Sequence, residues 1–123
     1  MPSTGLNGPY RLDSTTIGRI GARTSPGAYA LGQERDGTFY ISYVGRSDDD
    51  VAARLRCHLG DYHHFKFGYY ASANEAFIKE CHLWHDFGGT DGKLDNKIHP
   101  DRPSGSRMSC PRCHGLDQRV AYW

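Results

Sequence analysis

GAYALGQERDGTFYISYVG, residues 27–45, carries two short runs rich in Tyr, Phe, Val and Ile with Asp36-Gly37 between them. β-Branched and aromatic side chains suit a pleated surface, and Asp-Gly supplies the positive φ angles of a tight hairpin turn. The pattern predicts strands over residues 28–33 and 39–44, joined by a turn over 34–37. Downstream, Ser47 and Asp50 read as a capping box, with Ser47 as N-cap of a helix over residues 48–59 that ends at Gly60. Asp48, Asp49 and Asp50 suit the positive end of that helix, and Val51, Leu55 and Leu59 form its apolar stripe. Residues 63–70 alternate loosely and predict a third strand. Ser72 and Glu75 make a second capping box, opening a helix over residues 74–87 with Phe77 and Trp84 on its apolar face and Gly88-Gly89 as its stop. The fold expected is α/β: a small, mixed and mostly antiparallel three-stranded sheet in β-β-α-β-α order, flanked by helices.

Outside this core the signals thin out. Residues 1–25 show no sustained period and read as an extension with one short strand at 15–20. Residues 89–109 are polar and turn-rich, a loop long enough to need an anchor or a function. Residues 116–123 suggest a short strand or helix. With 123 residues the chain has room for one modest core. The net charge is only +1, so any phosphate binding must come from a local cluster and not from a basic surface. No apolar run approaches the ~20 residues that span a bilayer, and the first ten residues lack the pattern of a signal peptide. The expectation is a soluble, cytoplasmic protein with no membrane partner.

Four cysteines in such a compartment argue against a disulfide framework. Cys110-Pro111-Arg112-Cys113 has the spacing of half a zinc site, and Cys81 and His85 lie four apart, on one helix face. Cys81, His85, Cys110 and Cys113 would make a tetrahedral structural zinc site that staples the long loop to the second helix, with His82, His99 and His114 as competing ligands. Cys57 reads as a small buried hydrophobe.

Gly27-Ala28-Tyr29 and Tyr43-Val44-Gly45, followed by Arg54 on the first of these helices and Glu80 on the second, resemble the GIY-YIG nuclease family, with Ala28 and Val44 in place of the two motif isoleucines. The resemblance spans residues 26–89, which would form the nuclease domain, with residues 90–123 as a loop and knuckle packed on the second helix. It implies a metal-dependent endonuclease acting on DNA. Tyr29 and Tyr43 would face the active site from adjacent strands, one of them as the general base, Tyr29 in preference. Arg54 would stabilise the phosphate, and His58 falls where family members carry His or Tyr. Glu80 would be the single carboxylate that holds one Mg²⁺ or Mn²⁺. Gly45, with no Cβ, would let a phosphate approach the backbone, and Arg46 would be a second phosphate contact. Asn96 matches an asparagine that family members place after the second helix, although the Pro-x-Tyr-Asn context is missing. Specificity would come from the flanking segments, a homodimer or a partner protein. Two other readings compete: a zinc-containing nucleic-acid or protein binding module that does not cut, and a Cys/His catalyst using Cys57 or Cys81.

Overall fold

The computed structural model describes residues 4–20, 24–96 and 98–113. Residues 116–123 and His114, for which expectations are given above, lie outside that set.

The hairpin forms as its sequence predicts, with longer arms. Strands β2 (Gly27–Arg35) and β3 (Thr38–Ser47) pair antiparallel through a two-residue turn, closed by Arg35 opposite Thr38. Asp36 and Gly37 both take positive φ, 51° and 80°, as a primed turn requires. A bulge at Ser42 interrupts the register, because Leu31 faces Tyr43 while Gly32 faces Ile41. Glycine is required at position 32, where a Cβ would lie 1.9 Å from the Tyr40 carbonyl oxygen.

Among the described residues the sheet has four strands, not three, and every pairing is antiparallel. Its order is β1-β4-β2-β3, with β1 at Asn7–Arg11 and β4 at His64–Tyr69. The additional strand comes from the segment expected to be a loose extension. After β1 the chain turns into helix α1 (Ser14–Ile20), where a strand was expected. Asp13 explains the difference: its carboxylate accepts a hydrogen bond from the Thr16 amide at 2.8 Å, which caps the first turn. Ile17 of α1 is fully buried in the main core.

Helix α2 (Val51–Arg56) is shorter than the sequence suggests. Asp50, not Ser47, is its N-cap, accepting from the Ala53 amide at 3.2 Å, while the Ser47 hydroxyl accepts from the Asp50 amide in the preceding turn. Val51 and Leu55 are buried as expected, but Leu59 lies beyond the helix and is 39% exposed. Cys57 is exposed as well, its thiol turned back to the Ala53 carbonyl. Helix α3 (Ala73–Asp86) begins at its expected cap, with Ser72 accepting from the Glu75 amide at 3.2 Å.

Central strand β2 has helices on both faces. Tyr29 and Leu31 pack with Ile17, Val51, Ala52, Leu55, Phe65 and Phe67 on the α1/α2 side. Ala28 and Ala30 pack with Val44, Leu83, Trp84 and Leu94 on the α3 side. Two small residues on that face let α3 lie close to the strand. Beyond a single 3-10 turn at Gly89–Asp91, the chain returns to the outer edge of β3. There the Asn96 amide pairs with Val44 like a missing strand, accepting from its N–H at 3.2 Å and donating to its carbonyl at 2.8 Å. Trp84 Nε1 donates to the Asn96 carbonyl, and Tyr62 donates to the Asp95 carboxylate. These bonds blunt a sheet edge that would otherwise be open to pairing. Among the described residues, no helix is long and apolar enough to cross a membrane.

Candidate active site and metal centre

Where β2, β3, α2 and α3 converge, a cleft of about 400 Å³ opens, lined by Tyr29, Tyr43, Gly45, Arg46, Asp48, Asp49, Arg54 and Glu80. Six of these eight were singled out by sequence. The β2/β3 register sets Tyr29 opposite Gly45. A Cβ on Gly45 would fall 2.5 Å from both the hydroxyl oxygen and Cζ of Tyr29. In this structure the glycine makes room for a tyrosine ring, where the sequence suggested room for a phosphate.

Tyr29 is almost wholly buried, and its hydroxyl lies 3.0 Å from Nε2 of His58. The two tyrosine rings are nearly parallel, with centroids 6.5 Å apart, and His58 packs against both. Burial pushes the Tyr29 phenol far above its ordinary value, and the neighbouring Tyr43 adds to this. Burial likewise raises Tyr43 and lowers His58. Both phenols are therefore protonated at neutral pH, and the imidazole is neutral. Asp61, with a carboxylate oxygen 3.7 Å from His58 Nδ1, favours the proton on that nitrogen and leaves Nε2 to accept from Tyr29. Asp61 carries no motif signal, and only the turn after α2 brings it here.

Glu80, in the same lining, is 8% exposed, and burial pushes its carboxyl up to about 7 against the pull of Arg46. Arg46 donates from Nη1 to Glu80 at 2.7 Å and from Nε to Asp48 at 2.6 Å, and its guanidinium lies over the Phe77 ring. Burial alone would lower the Arg46 pKa, but those bonds outweigh it and raise it. Arg54 reaches the cleft from the exposed face of α2. Asn96 is not among the cleft residues: its side-chain amide is committed to the β3 edge. Asp48 and Asp49, which the sequence suggested only as helix-dipole partners, are part of the wall.

A second cluster lies at the far end of α3. Side-chain donor atoms of His85, His99, Cys110 and Cys113 all fall within 4.8 Å of one another, close enough to hold a metal ion. Cys113 Sγ is 3.3 Å from Nε2 of His85 and of His99, and those two nitrogens are 3.3 Å apart. Metal–nitrogen bonds of about 2.0–2.1 Å and metal–sulfur bonds of about 2.3 Å give tetrahedral edges of roughly this length. His99 Nδ1 lies 2.8 Å from the Pro100 carbonyl, to which it donates, so Nε2 turns its lone pair toward the cluster. Burial and the adjacent His99 lower His85, favouring the neutral, ligating form. The knuckle is fastened by the Cys113 N–H to Cys110 carbonyl bond and by an Arg112–Asp86 ion pair.

This donor set differs from the expected one by a single member. His99 takes the place of Cys81, which is buried with Phe77 and Cys110 in a small apolar cluster. Cys81 follows Glu80 on a 14-residue helix, and the turn that brings it near Cys110 also buries its thiol. Burial raises the Cys81 pKa, the opposite of what a thiolate nucleophile needs. His82 is not part of the group.

No family model, no curated protein and no solved structure matches this chain.

Proposed function

We propose that the protein is a divalent-cation-dependent endonuclease of the GIY-YIG type, hydrolysing phosphodiester bonds in DNA. What supports the reading is the Tyr29–His58 hydrogen bond at a cleft that Arg54 and Glu80 also line. A Mg²⁺ or Mn²⁺ ion on Glu80 would neutralise phosphate charge and the leaving oxygen.

The chain's own residues divide the remaining work. Tyr29 is too strongly held in its protonated form to rest as a phenolate. Its hydroxyl instead relays: it passes its proton to neutral His58 as it takes one from the attacking water. Tyr43 packs against both partners and fixes their orientation. The Arg54 guanidinium offers a planar fork to the non-bridging oxygens and stabilises the charge that builds on them.

In the same reading the ion held by His85, His99, Cys110 and Cys113 is structural zinc. Mixed thiolate and imidazole donors suit zinc, and four protein ligands leave no position open for substrate. It ties residues 99–113 to the helix that carries Glu80.

The competing reading, a binding module that does not cut, draws on the Arg46–Glu80 ion pair, which occupies the metal-binding carboxylate. Incubation of purified protein with supercoiled and branched DNA, with and without Mg²⁺ or Mn²⁺, separates the two. Metal-dependent nicking that Arg54→Ala abolishes supports the nuclease. DNA binding without strand scission under all those conditions supports the binding module.

A further inference from the structure

The contact that favours the competing reading has another consequence. Arg46 reaches its two carboxylates through different nitrogens, Nη1 to Glu80 and Nε to Asp48. One bond can break while the other holds. The Phe77 ring below the guanidinium, itself buried, keeps the side chain over the cleft in either case. Glu80 has one carboxylate oxygen in this ion pair, and its side chain is only 10% exposed. An incoming cation must therefore compete with Arg46 for the same carboxylate.

Charge gives the competition a direction. Three carboxylates (Asp48, Asp49, Glu80) and two guanidinium groups (Arg46, Arg54) line the cleft. With Glu80 ionised the formal balance is negative, so the metal-free cleft then attracts a cation and repels a polyanion. A divalent ion on Glu80 reverses that sign. It also repels the Arg46 guanidinium beside it and frees Nη1, the donor now bonded to Glu80, for a phosphate oxygen.

We propose that Arg46 is a phosphate-binding residue held in reserve by Glu80, and that arrival of the divalent cation at Glu80 releases it to the DNA backbone. The arrangement rests on the reading of Glu80 as the metal ligand. It makes metal the first ligand and DNA the second, with a nitrogen of Arg46 changing partner between them. Asp48, bonded to Nε, is the fixed point about which the planar guanidinium pivots as Nη1 changes partner.

The test is Mn²⁺ binding to the zinc-loaded protein without DNA, by calorimetry and by loss of the free-ion electron paramagnetic resonance signal, at pH 8.5, where Glu80 is ionised. Arg46→Gln and Arg46→Met should bind Mn²⁺ roughly five- to tenfold more tightly than the parent, within the range of ordinary site–site coupling. In the parent, Mg²⁺ titration should shift the Arg46 Nε–H resonance in a saturable way, which tests the exchange even if a variant does not fold. Glu80→Gln should bind no Mn²⁺ at this site and show no such shift. Folded Arg46 variants that bind Mn²⁺ no more tightly than the parent, or an Arg46 resonance unmoved by Mg²⁺ at concentrations that displace Mn²⁺ from Glu80, would overturn the exchange alone. Parental Mn²⁺ binding by Glu80→Gln would overturn the metal-ligand reading beneath it.

Discussion

Glu80→Gln should stabilise the Mg²⁺-free protein at alkaline pH and lose that advantage in acid. Glu80 has its proton-binding midpoint raised from 4.5 to about 7, chiefly by burial. Between those values the native state holds a proton that the unfolded chain releases. The stability contributed by Glu80 is therefore complete below pH 4.5 and is lost as pH rises through 7. At roughly 1.4 kcal/mol per pH unit the full loss is about 3 kcal/mol, of which about 2 kcal/mol falls between pH 5.5 and 8.5. Glutamine cannot ionise, and its amide oxygen can still accept from Arg46, so the variant escapes the loss. The assay is urea unfolding followed by tryptophan fluorescence at a series of pH values, in Mg²⁺-free buffer without chelator. The His/Cys cluster is common to both proteins, so its own titration cancels in the difference. A stability gap that widens by about 2 kcal/mol from pH 5.5 to 8.5 is expected. A gap that stays level across that range would refute the reasoning, because Glu80 would then titrate alike in both states.

Three further outcomes follow from particular contacts. Ile17→Ala should cost about 2–5 kcal/mol in chemical unfolding, because the side chain is fully buried under α2; a change below about 0.5 kcal/mol would mean that α1 is not part of the core. Gly45→Ala should cost about 1–3 kcal/mol and depress DNA cleavage more than stability alone explains, since the new methyl collides with Tyr29; parental kcat would show that Tyr29 need not sit there. His99→Ala and Cys110→Ser should each lose a stoichiometric ion in elemental analysis, while Cys81→Ala keeps it; the reverse pattern for His99 and Cys81 would restore the donor set read from sequence.

The parts legible in sequence were those with local signals. Asp36-Gly37 marked the hairpin, Ser72-Ala73-Asn74-Glu75 marked the start of α3, and Cys110 and Cys113 marked half of the His/Cys cluster. The parts missed depend on partners distant in the chain. Asn7–Arg11 has no strong strand pattern of its own and becomes a strand because β4 offers it an open edge. Ser14-Thr15-Thr16-Ile17 is rich in β-branched residues and reads as strand, yet Asp13 caps it and burial of Ile17 holds it as helix. His99 read as one of three competing ligands, with nothing in the sequence to prefer it over His82 or His114. Its place follows from the Leu94–Asn96 segment, which docks against Trp84 and Val44, and His99 then lies beside His85 at the end of α3. Spacing along one helix favoured Cys81, and only packing shows that its thiol belongs to the apolar cluster.

The most direct test of the central claim is a plasmid-nicking assay on the zinc-loaded protein with added Mg²⁺ or Mn²⁺, run beside Tyr29→Phe and Glu80→Gln. The account predicts conversion of supercoiled to nicked DNA by the parent only with added Mg²⁺ or Mn²⁺, no conversion by Glu80→Gln, and a rate at least about 100-fold lower for Tyr29→Phe, as loss of a proton-transfer group implies. Parental cleavage by either variant, or intact DNA after prolonged incubation with folded parent and both metals, would contradict it.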